Sequence, residues 1–213
     1  MGIVKEELKW EKQWWGNCQN TFHEDIKHYW YARYMGLSQI WHYFEGMDDK
    51  KILDIGGGPT SMLLKCSNLK EGKVVDPIKW PQWVIDRYKI HNIEYEAKGG
   101  EDVNEEGFDE VWIYNCLQHV LDPELIIKNA LKAAPVLRIF EWINTHDEGP
   151  GHPHILSKDF LDKAIGQEGN TVNLNVHALP FYDDPGIYRP GIFNGEPSLR
   201  GEAYYGVFKE LKQ

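Results

Sequence analysis

Asp54-x-Gly56-x-Gly58-x-Thr60 is the first pattern in the chain whose residue types and spacing point to chemistry. A short apolar run, "KILDI" (51–55), is followed at once by three glycines including Gly57, a proline, two hydroxyl residues and a second apolar run. Bare backbone at a strand-to-helix turn presents N–H groups to a carboxylate or phosphate. Ser61 at the last position excludes a dinucleotide-binding G-x-G-x-x-G, and the lack of a Gly-Lys-Ser/Thr ending excludes a P-loop. Acids follow at Asp76, Glu101 and Asp102, and histidines at His119, His146, His152 and His154. Carboxylates accept from hydroxyl or amine donors, and imidazole is the usual proton acceptor near neutral pH. The glycines alone fit a tight turn as well as a ligand loop. Acids at neighbouring strand ends favour the ligand, because ligands of open α/β sheets bind at the carboxyl ends of strands.

The elements that must position these residues are legible from periodicity. Residues 1–50 read as a helical cap: "VKEELKWEKQWW", then "TFHEDIKHYWYARYMG" with Thr21 and Glu24 as a capping box and Gly36 as its stop, then a short helix "SQIWHYFEG" between Ser38 and Gly46. From residue 51 short apolar runs alternate with helical ones, the signature of βαβ units and a parallel sheet. Strands are predicted at 51–55, 73–76, 93–97, 108–114 and 136–143, with helices between them. Asp122 caps a helix "ELIIKNALKA" that has Pro123 in its first turn, and Ser157 and Gly166 bound "SKDFLDKAIG". Segments 170–180 and 201–211 alternate with period two. The Gly/Pro-rich loop between them has no room for a crossover helix, so the pair is antiparallel. That loop is long enough to serve as a lid. The expectation is one domain over 1–213, with a cap over 1–50 and a core over 51–213.

Taken together, these motifs resemble class I S-adenosylmethionine-dependent methyltransferases of the small-molecule type. The resemblance covers residues 50 to 143, with the glycine loop, "VVDP", "GGEDV" and "FDEVWIYNCLQHVLDPELIIKNAL" in the family's order. It implies an α/β, Rossmann-like, seven-stranded and mostly parallel sheet with an antiparallel last strand, helices on both faces and the N-terminal helical cap. It implies S-adenosylmethionine as cofactor and S-adenosylhomocysteine as product. Asp54, Gly56, Gly57, Gly58 and Thr60 would serve the methionine end, Asp76 the ribose hydroxyls, and Glu101 or Asp102 the adenine amine. Asn115 and Leu117 would line the methionine end, with His119 on the acceptor side. "APVLRIFEW" departs from the family, which usually has Pro-Gly-Gly before the fifth strand.

Methyl transfer is an in-line displacement, and a hydroxyl acceptor also needs a base; His119, His152 and His154 are the candidates. The plainer readings are a helix-start histidine at 119 and a polar turn around Pro153. His152 and His154 with Glu141 and Asp147 nearby lack a clear third ligand, so no metal is expected. In the cap, Phe22, Ile26, Trp30 and Tyr34 form a core stripe. Trp14, Trp15 and Tyr31 lie off it and are candidates to stack on an acceptor ring, with Asn17, His28 and Arg33 for its polar groups. His146, Arg189 and Arg200 are further acceptor candidates, although loop arginines are more often solvated.

Composition bounds the partners. A net charge of −10 without a basic run disfavours nucleic acid, and "YNCLQH" is not the sequence expected for a flipped base. The N-terminus has neither an apolar signal core nor a myristoylation motif, no segment reaches membrane-spanning length, and the three cysteines are widely spaced. A cytoplasmic protein, monomer or homodimer, with a small-molecule acceptor is expected. The leading reading is O-methylation of a sugar or nucleotide-sugar. An amine or quinone-like phenol acceptor and a non-catalytic cofactor-binding module are the alternatives, and glycine spacing disfavours a dehydrogenase.

Overall fold

A computed structural model describes residues 3–16, 18–145, 152–176 and 199–209. Strands β3 (Lys51–Ile55), β4 (Glu71–Asp76), β5 (Ile93–Ala97), β6 (Glu110–Tyr114), β7 (Val136–Ile143), β8 (Asn170–Val176) and β9 (Leu199–Lys209) form a seven-stranded sheet in the order β5-β4-β3-β6-β7-β9-β8. The first five pair in parallel, and β9 runs antiparallel to both β7 and β8. This is the architecture expected from the sequence. Chain order reverses on either side of β3, which opens a crevice beyond the carboxyl ends of β3 and β6.

Period-two side-chain alternation divides the core between the two faces. Ile52, Val74, Trp112, Tyr114 and Phe140 meet α2 (Cys18–Tyr34) and α3 (Gln82–Ile90), while Leu53, Ile55, Val75, Ile113 and Ile139 meet α4 (Pro123–Ala133) and α5 (Lys158–Ile165). Caps behave as their residue types dictate. Asp122 accepts from the Leu125 N–H at 2.9 Å, Ser157 accepts from Phe160, and Gly166 closes α5 in the left-handed region.

Three local expectations are corrected. Residues 38–46 form a hairpin, β1 (Ser38–Ile40) with β2 (Tyr43–Glu45), rather than a helix. Only Phe44 of its apolar side chains is buried, Trp41 takes φ 58° at the turn, and the Gln39 side chain donates to the Tyr29 carbonyl at 2.6 Å. A helix would have needed an apolar stripe to bury; a strand buries every second residue. The glycine loop opens only a 3₁₀ turn, Met62–Lys65, because Cys66 is drawn into a bridge with Phe44 and Lys65 into an ion pair with Asp25. Helix α2 begins at Cys18, so Thr21 and Glu24 lie inside it, and the Thr21 hydroxyl donates to the Trp15 carbonyl.

Candidate active site

The segment after β3 is held by buried polar groups. Asp54 Oδ2 accepts from the Ser61 hydroxyl and, at 2.5 Å, from the Tyr114 phenol. The Tyr88 phenol donates to the Gly58 carbonyl at 2.7 Å and accepts from the Ser61 N–H at 2.9 Å. Burial pushes the Asp54 carboxyl up to about 7, against the two hydroxyl donors. Asp54 therefore orders the loop from beneath. Gly56, at φ 79°, faces Cys116 so closely that a Cβ would overlap the sulfur, and a Cβ on Gly57 would lie 2.5 Å from the Asp54 carboxylate. These two glycines are required by protein packing, whatever the ligand.

Beyond the loop lies a cavity of about 710 Å³ at the carboxyl ends of β3, β4, β6 and β7. Of the residues proposed from the sequence, Gly56, Gly58, Asp76, Glu101, Asp102, Asn115, His119 and His152 line it, with Trp14 and Trp15. Asp76 is buried at the end of β4, and its Oδ1 accepts the Ile78 N–H at 2.9 Å. Burial raises this carboxyl to about 7, and the charge of Glu11 pushes the same way. Glu101 accepts the N–H groups of Leu121 and Asp122 at 3.0 and 3.3 Å, which ties the turn after β5 to the start of α4. Asp102 is exposed along the same wall.

Other proposed residues stand elsewhere. Leu117 is fully buried below the cavity, and its N–H donates, as does that of Cys116, to the carboxyl of Glu141. Gly57 and Thr60 do not line this cavity, and Thr60 is buried toward a second one. His154 is 2.8 Å from the Val120 carbonyl through Nε2, so it latches its segment and does not line the cavity. Tyr31 is fully buried and stacked on Phe140 at 4.5 Å, and His28 is buried with Nδ1 3.2 Å from Lys65. Both belong to the core, whereas Phe22 of the proposed core stripe is 50% exposed. Ile26 of that stripe is buried and Trp30 and Tyr34 pack against the core, and the buried face of α2 is wider than the stripe, taking in Glu24, His28, Tyr29, Tyr31 and Ala32. Arg33 is exposed over the Trp30 ring. Asn17, His146 and Arg189 lie outside the described residues, as does most of the proposed lid loop.

The cap supplies the roof, where the sequence reading put Trp14 and Trp15, and what that reading missed is Glu11. Helix α1 (Ile3–Trp15) carries Glu11, Trp14 and Trp15 into the cavity wall, and α2 adds Glu24 and Lys27. Glu11 Oε2 accepts from the Trp15 indole at 3.2 Å, and Oε1 stands 3.4 Å from His119 Nδ1. Burial lifts the Glu11 carboxyl to about 7, the Trp15 donor opposes this, and the charge of Glu24 adds to it. The Gln118 amide nitrogen stands 3.1 Å from His119 Nε2, a geometry that suits the tautomer with its proton on Nδ1, toward Glu11. The His152 ring lies 4.6 Å from that of His119. Glu11 sits among charged residues of a helix whose pattern reads as solvated; its neighbour Trp15 was the only hint. Among the described residues, no three His, Cys, Asp or Glu side chains are grouped to hold a metal ion, and no helix is long and apolar enough to cross a membrane.

Compared with solved structures, the chain is similar to the N-methyltransferase NodS from Bradyrhizobium japonicum, determined with S-adenosylhomocysteine, with a TM-score of 0.64 over 96% of this chain and 98% of that one. The chain has the class I methyltransferase fold. Identity to NodS is 13%. A S-adenosylmethionine-dependent methyltransferase from Thermotoga maritima, titled a possible histamine N-methyltransferase, is similar over 98% of both chains at 12% identity and a TM-score of 0.54. The [4+2]-cyclase SpnF is also similar, with a TM-score of 0.51 at 14% identity over 71% of this chain and 60% of that one. No protein-family model and no curated protein sequence matches. At such identities the likeness establishes the fold, and function has to be argued from the site.

Proposed function

We propose that the chain is an S-adenosylmethionine-dependent methyltransferase acting on a hydroxyl group of a small polar acceptor of sugar or nucleotide-sugar type. The observation that carries this reading is Asp76, a buried carboxyl in the cavity wall at the end of the second parallel strand. Burial without enough donors drives it toward protonation, and a pair of ribose hydroxyls would supply O–H donors to its charged form. The cavity volume of about 710 Å³ suits a ligand of that size with an acceptor beside it. Asp76 would hold the ribose, Asp102 or Glu101 the adenine amine, and Gly56, Gly58 and Asn115 the methionine end. When bound, the cofactor's sulfonium supplies a methyl group open to displacement by an acceptor oxygen.

The chain's own residues handle the rest. Trp14, Trp15 and Trp142 enclose the space, and His119 would take the acceptor's proton at Nε2 after the acceptor hydroxyl displaces the Gln118 amide. Glu11 at Nδ1 orients the ring and stabilises its charged form, the same logic as a carboxylate–histidine pair in acyl transfer.

The same wall favours a second reading, an amine acceptor. Three tryptophans beside Glu11 and Glu24 would hold an organic cation, and a free amine needs no base at the reacting atom. Supplying labelled S-adenosylmethionine with pooled sugars and nucleotide-sugars, and separately with pooled amines, tests both. Label in the first pool supports the proposal, label only in the second supports the amine, and tight S-adenosylhomocysteine binding without transfer in either supports a binding module.

A further inference from the structure

On the far side of the glycine loop lies a second cavity of about 740 Å³, between α1, the start of α2, and the segment 78–87 that leads into α3. It shares only the Trp15 and Ile78 walls with the first, and none of the carboxylates expected to hold a cofactor reaches it. Its walls are aromatic: Trp15 and Trp80 meet edge to face with centroids 6.5 Å apart, while Phe22 and Trp83 stand at its edge, Trp83 64% exposed.

Three residues of this wall, Thr60, Trp80 and Arg87, carry a buried donor that lacks an acceptor among the described residues. Thr60 is 6% exposed and its hydroxyl is unpartnered. The Arg87 guanidinium donates through one terminal nitrogen to the Pro59 carbonyl and lies 5.5 Å over the Trp83 ring, yet its buried Nε has no partner. Buried donors normally find acceptors, so three orphans gathered beneath the wall of one cavity favour a ligand oxygen that a small side-chain adjustment would bring to them. The charge agrees. Among the described residues, Lys12, Lys79 and Arg87 line the cavity against a single acid, Asp25, which is already paired with Lys65 at 2.5 Å. In a chain of net charge −10, this is a local excess of cations.

We propose that the second cavity binds a planar aromatic anion, its ring among Trp15, Trp80 and Trp83 and its carboxylate or comparable oxygen anion on Thr60 and Arg87. Guanidinium–carboxylate pairs give directional, charge-assisted hydrogen bonds, and aromatic walls select a flat ring. This site is independent of the methyl-transfer reading and stands or falls separately from it.

Calorimetric titration of the full chain with naphthalene-2-carboxylate, and with the neutral isostere 2-naphthamide, tests the proposal. The carboxylate is expected to bind at least about tenfold more tightly than the amide. Saturating S-adenosylhomocysteine is expected to leave its affinity within about twofold, since the two occupy different cavities. Arg87→Gln and Thr60→Val each weaken the carboxylate and spare the amide. If Arg87→Gln fails to fold, the exposed pair Lys79→Gln and Trp83→Ala carries the same test, each lowering affinity about threefold or more. No binding, equal affinity for the two probes, displacement by S-adenosylhomocysteine, or indifference to Lys79→Gln with Trp83→Ala would each overturn it.

Discussion

Replacing Asp76 by Ala removes the acceptor that the ribose hydroxyls would share, and S-adenosylhomocysteine affinity is expected to fall by roughly 30- to 100-fold, about 2–3 kcal/mol. Calorimetry on the folded variant checks this; unchanged affinity would mean that Asp76 does not face the ligand. His119→Gln is expected to lower kcat on a hydroxyl acceptor by roughly 10²- to 10⁴-fold with little change in KM for the cofactor. An amine acceptor would show almost no effect on kcat, so the same variant separates the two acceptor readings. At this scale the sequence identified Asp76 because a strand and its end are local features. It did not identify Glu11, whose meeting with His119 spans most of the site and depends on how α1 lies over the sheet. For Tyr31, aromatic character off a predicted stripe pointed to an acceptor; stacking on Phe140 shows that the buried face of α2 extends beyond that stripe.

Among the elements, the glycine loop offers a paired test. Gly46 and Gly56 both take positive φ, but a Cβ meets nothing within 4 Å at Gly46 and collides with Cys116 at Gly56. Gly46→Ala should cost about 1 kcal/mol from backbone strain alone. Gly56→Ala should cost about 2–4 kcal/mol, the excess coming from overpacking against the sulfur. Chemical denaturation measures both, and equal costs would refute the packing explanation. Removing residues 1–16 takes away Glu11, Trp14 and Trp15 but none of the strands. S-adenosylhomocysteine affinity should drop at least about tenfold while the sheet's circular dichroism persists, since the lost aromatic wall is a large share of the enclosing surface. The parallel strands and α4 were legible because each has its own periodicity and caps. The 38–46 hairpin and the 3₁₀ turn were not, because Phe44, Cys66 and Lys65 answer to distant partners.

For the whole molecule, the buried acids set the response to pH. Burial raises Asp54, Asp76 and Glu11 to about 7 and Glu141 to about 8, the last against N–H donors from Cys116 and Leu117. Between the ordinary carboxyl range and these raised values the folded chain holds protons that the unfolded chain has released, so the stabilisation is full below about pH 4, is lost by up to about 1.4 kcal/mol per pH unit for each group between about pH 5 and 7, and is gone above about pH 8. His28, held well below its ordinary value by burial and then by Lys65, acts in the opposite sense, chiefly below about pH 6.5. Glu110, where burial is outweighed by Arg138 and Lys50, is held at about 2 and keeps its contribution throughout this range. The thermal midpoint of the ligand-free chain should fall between about pH 5 and 8, most steeply below about 7, and Glu141→Gln should make that fall shallower; a flat profile would show that these carboxyls stay ionised. By itself the sequence determined the five parallel strands, the antiparallel pair that follows them and the acid at the second strand end, because alternation, caps and glycine spacing act over a few residues. Only the tertiary structure decided that Glu11 roofs the cavity, that His28 and Tyr31 are core, and that "KILDIGGGPTSMLL" has Gly56 and Gly57 bare to clear Cys116 and Asp54. Those are contacts between segments far apart in the chain, and a local pattern shows that a face is buried without showing what buries it.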